Sequence, residues 1–285
     1  MQKTGTMPVA LTIAGFDPSG GAGVVADIKT FTAFGCFAAA AITSLTFQNT
    51  TGVFGAAHQT AETVRAQVLP VVEDFHVAGL KTGMLPTREV IVEVARLLRE
   101  THLRETTAPV IDPVVRSTSG YDLIDDDALA ALRSELLPLA RVVTPNIPEA
   151  ERLTNLNIRT EADMRRAAQA IREMGARAVL VKGGHLSGDA VDVLDDGGQV
   201  QLFRAARLHT DATHGTGCTL AAAIAACLAR GMNLAEAVGA AKRFVTAAIK
   251  QSPQLGRGFS PVNHNLRVRF DESGVIAAGE FMDAR

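Results

Sequence analysis

Thr213-His214-Gly215-Thr216-Gly217-Cys218 sets two glycines, two hydroxyls and a thiol at the start of an alanine-rich helical pattern. Peptide N–H groups at such a start lack intrahelical acceptors, and with the helix dipole they attract anions. Gly215 and Gly217 would let the backbone curl around an anion as a nest. A thiol in the first turn tends to a lowered pKa, so Cys218 reads as a reactive group. The alternative is an inert core cysteine. A dinucleotide fingerprint fails, because Leu220 stands where its last glycine belongs.

A second glycine-rich turn, Gly15-Phe16-Asp17-Pro18-Ser19-Gly20-Gly21-Ala22-Gly23, lies between an apolar run and a helical pattern. Its spacing approaches a phosphate loop, but Gly21 and Ala22 occupy the places of the required Lys and Ser/Thr. Two readings stay open: a tight strand-to-helix turn, or a wall where absent side chains admit a flat ring.

Asn146-Ile147-Pro148-Glu149 puts an amide and a carboxylate three residues apart at a helix start. Oxygen donors of this kind suit Mg²⁺ carried with nucleotide phosphates. The same residues also make an N-terminal cap with Pro at the first helical position. Asp112 closes a buried apolar run and Lys182 precedes two glycines; both sit where charged groups enter a ligand crevice.

These residues need a scaffold, and the pattern supplies one. Strands are expected at 9–14, 37–45, 53–57, 77–80, 109–112, 141–144 and 178–181, with helices at 24–34, 61–75, 89–98, 129–137, 148–153 and 161–174. Asp195-Asp196-Gly197-Gly198 marks a hairpin between 190–194 and 200–203, and helices follow at 215–228 and 234–250. Such alternation implies an α/β fold, a mostly parallel sheet between helical layers, with ligands at the carboxyl ends of strands.

Composition narrows the function. With 47% hydrophobic residues, the 285-residue chain can build one extensive core. A net charge of −2, no Trp and one Tyr leave no basic or aromatic surface for nucleic acid and no attraction to anionic membranes. No apolar run approaches a membrane span of roughly 18 residues, and residues 1–8 lack the apolar core of a signal peptide. Cys36, Cys218 and Cys227 form no CxxC pair, which points to a reducing cytoplasm.

Taken in order, LTIAGFDPSGGAGVVADIKTF (11–31), ITSLTFQNTTGV (42–53), KTGML (81–85), VTPNIPEA (143–150), VLVKGGH (179–185) and THGTGCTLAAAIAA (213–226), with a weaker GFSPVNH (258–264), make the chain resemble the hydroxymethylpyrimidine/phosphomethylpyrimidine kinases of thiamin biosynthesis, in the ribokinase-like superfamily. The resemblance spans about residues 9 to 264 and implies a three-layer α/β/α kinase domain over 1–285, with a short tail at 1–8, a weakly patterned tail at 265–285, and a homodimer. It implies pyrimidine contacts at Gly15, Asp27, Gln48 and Met84. Gln48 would pair with an aminopyrimidine edge and Met84 pack on the ring. A surface Gln48 and an exposed helical Asp27 are the alternatives.

At the other end the resemblance assigns phosphoryl transfer to Gly215, Thr216, Gly217 and Cys218, with Cys218 as the base. Lys182 would lie near ATP, and Asn146 and Glu149 near Mg²⁺, with Asp112 as a further metal partner. The expected activity is ATP-dependent phosphorylation of 4-amino-5-hydroxymethyl-2-methylpyrimidine, then of its monophosphate. Pyridoxal kinase is the nearest rival, a non-catalytic nucleotide or metabolite sensor the rival from another class. One departure stands out: Ser117-Thr118-Ser119-Gly120 carries Thr118 where many members have a loop lysine, with Arg116 nearby. The chain ends soon after these motifs, so no fused thiamin-phosphate synthase is expected.

Overall fold

The computed structural model describes residues 7–103, 108–116, 123–184, 188–270 and 276–283, with side chains up to 270. The departure at Ser117, Thr118, Ser119 and Gly120 lies outside the described residues. Among the described residues nine strands form one sheet, in the order β3-β2-β1-β4-β5-β6-β7-β8-β9. They are β1 (Val9–Phe16), β2 (Phe37–Asn49), β3 (Gly52–His58), β4 (Val77–Thr82), β5 (Val110–Ile111), β6 (Val142–Val143), β7 (Ala178–Lys182), β8 (Ala190–Asp196) and β9 (Gln199–Ala205). From β2 to β7 neighbouring strands are parallel, whereas β3, β8 and β9 attach as antiparallel hairpin strands.

Alternation along the central strands sorts their side chains into two cores. Leu11, Ile13, Ile111, Val143, Val179 and Val181 pack into one. Against them lie α2 (Ala61–Asp74), α3 (Arg88–Glu100), α4 (Asp126–Ala131), α5 (Ile147–Thr154) and α6 (Glu161–Glu173). Ala10, Val110, Val142, Ala178 and Leu180 point the other way, onto α1 (Gly23–Ala33), α7 (Thr216–Ala229) and α8 (Leu234–Lys250). There Phe34 meets Phe244 edge to face at 5.0 Å, both fully buried. Truncating either would cost about 3–5 kcal/mol.

The expected α/β layering is present, with three differences of detail. β2 runs on to Asn49 because its end pairs with β3. The helix expected at 129–137 begins at Asp126, where Asp125 caps it, and loosens into a π turn (Leu132–Leu136) and a 3₁₀ turn (Leu137–Leu139). Pro138, which has no N–H to continue an α-helix, closes it. The stretch expected to be a weakly patterned tail carries an antiparallel pair, β10 (Leu266–Phe270) and β11 (Ile276–Asp283). Among the described residues no helix is long and apolar enough to cross a membrane.

Candidate active site

From β1 the chain moves to β2 on one side, then returns to β4 on the other. Strand order reverses beside β1, and in open α/β sheets such a reversal opens a crevice at the strands' carboxyl ends. Gly15, Gly83, Asp112, Thr144 and Lys182 all fall at that edge, because the strands that deliver them run parallel.

The two glycine turns meet there. Gly215 caps α7 in the left-handed region at φ 80°, and a Cβ on it would lie 1.8 Å from the Gly21 carbonyl oxygen. A Cβ on Gly23 would lie 2.2 Å from the Gly15 oxygen. Only glycine permits this contact of backbone on backbone. α2 to α6 and α8 each carry a side-chain N-cap, whereas α1 and α7, the helices opened by these turns, have none. The first amides of α7 therefore keep no side-chain acceptor of their own.

Facing that turn is a charged cluster. A Cβ on Gly217 would stand 3.2 Å from Lys182 Nζ and 3.8 Å from Asp112 Oδ2. Lys182 Nζ pairs with Asp112 Oδ1 at 3.0 Å, and Thr144 Oγ1 donates to the same oxygen at 3.0 Å. Burial opposes the charge on Lys182, but Asp112 and Glu149 outweigh it and raise its pKa, so an ammonium faces the start of α7. Burial pushes Glu149 up to about 7, with Lys182 pulling down and Asp112 pushing up. Asn146 and Glu149 form the reciprocal cap that their spacing allowed: Asn146 Oδ1 accepts from Glu149 N at 2.9 Å, and Glu149 Oε2 from Asn146 N at 2.7 Å. Among the described residues no three metal-ligating side chains converge. Two hard carboxylates, Asp112 and Glu149, beside the uncapped start of α7 fit Mg²⁺ arriving with a nucleotide rather than a resident ion.

Cys218 is half-buried in the first turn of α7. Burial pushes its thiol up to about 11, against the pull of the Lys81 ammonium. This corrects the expectation of a lowered pKa at a helix start: desolvation exceeds the help of the helix end. Behind it Lys81 and Asp27 form an ion pair at 2.8 Å with both side chains fully buried, and Thr12 Oγ1 donates to the same Asp27 oxygen at 2.6 Å. Asp27 is thus not an exposed helical position. It carries no accessible surface, and its Oδ1 has no hydrogen-bond partner.

Met84 is 7% exposed, its sulfur 3.1 Å from where a Cβ on Gly15 would be, so the two shape one wall. Gln48 follows an irregularity in the β2–β3 register and lies near enough to Asp17 to help hold its carboxyl below the usual range. The residues expected to bind the pyrimidine and those expected to move phosphate therefore lie together at the carboxyl edge of the sheet, joined by Gly21 against Gly215. Asp17, Lys81, Thr144, His214 and His264 were not singled out from sequence. Asp17 had a signal as an Asp-Pro turn starter, and Lys81 as a lysine in an apolar strand. A surface hollow of about 730 Å³ beside Asp74, His76 and His102 contains none of the site residues.

Residues 17–263 match the phosphomethylpyrimidine kinase family model. The chain belongs to this family. It is 48% identical over 260 residues to the hydroxymethylpyrimidine/phosphomethylpyrimidine kinase of Streptomyces coelicolor, covering 91% of this chain and 95% of that one. It is 49% identical over 257 residues to a thiamine biosynthesis bifunctional protein of Geobacter sulfurreducens; that match covers 90% of this chain and spans about half, 52%, of the bifunctional protein. Among solved structures, an ADP complex of Bacillus subtilis pyridoxal kinase superposes with a TM-score of 0.83 at 38% identity, covering 91% of this chain and 98% of that one. The family's sheet and helical layers are those described above.

Proposed function

We propose that this chain transfers the γ-phosphoryl group of ATP to the hydroxymethyl oxygen of 4-amino-5-hydroxymethyl-2-methylpyrimidine, and then phosphorylates the resulting monophosphate to the diphosphate. This reading is supported above all by the contact of Gly21 with Gly215, which brings the two glycine turns together. Family membership supports the same activity.

The ring lies against Gly15 and Met84, with Gln48 on its polar edge. The unpartnered Asp27 Oδ1 is a buried acceptor suited to a ring or amine N–H. The γ-phosphate sits before α7, where the amides of Gly215, Gly217 and Cys218 offer donors to its oxygens, while the Thr216 N–H donates to Thr213 O at 3.3 Å. The hydroxymethyl oxygen bonds to the γ-phosphorus as the bond to the β,γ-bridging oxygen breaks, and the hydroxyl proton passes to the Cys218 thiolate. Lys81 is the positive charge favouring that thiolate. Lys182 lies beside the phosphate chain. Mg²⁺, with Glu149 and Asp112 as partners through water, would neutralise charge on the phosphates.

Purified protein with Mg-ATP and the pyrimidine alcohol tests this, with products resolved over time. Mono- then diphosphate is the expected pattern. Preference for pyridoxal, the substrate named for the Bacillus subtilis relative, would replace the substrate reading. ADP binding without turnover on either alcohol would make the chain a sensor.

The active form is a homodimer. Leu45, Phe47 and Phe54 are 40%, 54% and 69% exposed on β2 and β3, at the edge of the sheet. A two-fold axis sets such an edge against its own copy and covers all three. The three free thiols fit a cytoplasmic enzyme.

A further inference from the structure

We infer that Asp17 is a positioning residue for phosphoryl transfer, holding the anion turn in register with the pyrimidine wall through His214. The inference rests on the kinase reading above and extends it to residues that touch neither substrate. Asp17 Oδ1 accepts from the Ser19 backbone N–H at 2.8 Å and the Ser19 hydroxyl at 2.7 Å. Its Oδ2 accepts from the Ala22 N–H at 2.9 Å and from His214 Nε2 at 2.8 Å. The carboxylate is 2% exposed and satisfied by donors from both glycine turns.

Three consequences follow from chemistry. A carboxylate can only accept, so His214 must carry its proton on Nε2. The His214 ring also packs on Gly21, with Cδ2 2.3 Å from where a Cβ there would be, and its backbone N–H is held by Ser260 O at 3.2 Å. The residue next to Gly215 is thereby pinned from two sides. An amide at position 17 would break the arrangement whichever way it turned: its single oxygen could serve the Ser19 pair or the Ala22 and His214 pair, never both.

Asp17→Asn tests the inference, alongside His214→Gln, which keeps an N–H donor, and His214→Leu, which does not. Small displacements of a reacting group can cost on the order of 10²-fold in rate. Asp17→Asn is accordingly expected to lower kcat about 100-fold while changing the ADP Kd less than threefold. His214→Gln should restore much of what His214→Leu loses. The Asp17→Asn/His214→Leu double variant should be no slower than the worse single variant, since both cut one link. Independent of turnover, long-range ¹H–¹⁵N spectra should show the Nε2-H tautomer at His214, and amides 213–217 should exchange faster in both Asp17→Asn and His214→Leu. If the wild type makes no phosphorylated product, the kinase reading fails, while tautomer and exchange still decide the clamp. An Nδ1-H tautomer, unchanged exchange, or an Asp17→Asn kcat within threefold of wild type would overturn the inference. Should Asp17→Asn not fold, the His214→Gln and His214→Leu comparison decides the same question, and equal kcat in the two would sink the inference.

Discussion

Lys81 Nζ lies 2.8 Å from Asp27 Oδ2, and neither side chain has any accessible surface. Burial opposes the charge on Lys81, but Asp27, Cys218 and Asp112 together outweigh it and raise its pKa. The lysine is therefore a permanent cation beneath the proposed phosphoryl-transfer turn. Burial already raises the Asp27 pKa, and Lys81→Met removes the cation that opposes this, leaving a buried carboxyl without its partner; breaking a buried pair in this way typically costs about 3–5 kcal/mol. Lys81→Met/Asp27→Leu should recover most of that stability in urea titrations and yet remain inactive. An active double variant would remove the pair from the chemistry.

Gly215→Ala meets two obstacles at once. The residue holds φ 80°, and the added methyl would overlap the Gly21 carbonyl oxygen at 1.8 Å. Strain of this kind costs on the order of 1–3 kcal/mol, and here relief requires separating the two turns. The expected result is a lowered Tm and loss of ADP binding by calorimetry. Gly52→Ala is the control, since nothing lies within 4 Å of its added methyl. Comparable losses in the two would show that the Gly21 contact carries no special role.

The Cys218 thiol, pushed up to about 11, is protonated at neutral pH. If its thiolate takes the hydroxyl proton, the thiolate fraction grows about tenfold per pH unit below that value. Under saturating substrates, with chemistry limiting, kcat should climb by about that factor per unit between roughly pH 6 and 9 in the wild type. Cys218→Ala should show a flat, low profile with ADP binding retained. A flat profile in the wild type at full activity would exclude the thiolate as base.

His264 is 7% exposed and lies 3.0 Å from Thr219 Oγ1, which donates to Gly215 O at 2.8 Å. Burial, with Lys29 and His214 adding to it, lowers its pKa from 6.5 to about 4. Between those values the unfolded chain binds more protons than the folded one, so stability rises with pH across the window and is lost on acidification towards 4. Glu149, raised to about 7, contributes with the opposite sign, so the readout is the difference: on going from pH 6.5 to 4.5 the urea midpoint of the wild type should lose ground relative to that of His264→Gln. Parallel slopes would assign the acid sensitivity elsewhere.

Phe54→Asp places a carboxylate on the exposed edge strand β3, on a side chain already 69% exposed. The fold should survive while light scattering reports a monomer. A dimer of unchanged mass would put the interface elsewhere.

Much of the scaffold was legible in local pattern. The parallel strands of β1 and β7, the hairpin at Gly197-Gly198 and the capped helices α5 and α6 follow from apolar runs, turn residues and cap residues close in sequence. Motif order also pointed to the family to which the chain belongs. Long-range relationships were not legible. Asp17 and His214 are 197 residues apart, and Asp27 and Lys81 54 apart. Their partnership depends on the strand order reversing beside β1, which no local window encodes.

Spacing therefore specified which groups stand at helix starts and strand ends. Packing specified their states. Burial made Cys218 a reluctant acid and drew Asp27 fully inside against a lysine. Desolvation and charge pairing depend on neighbours brought in from distant parts of the chain, so only the folded molecule could assign them.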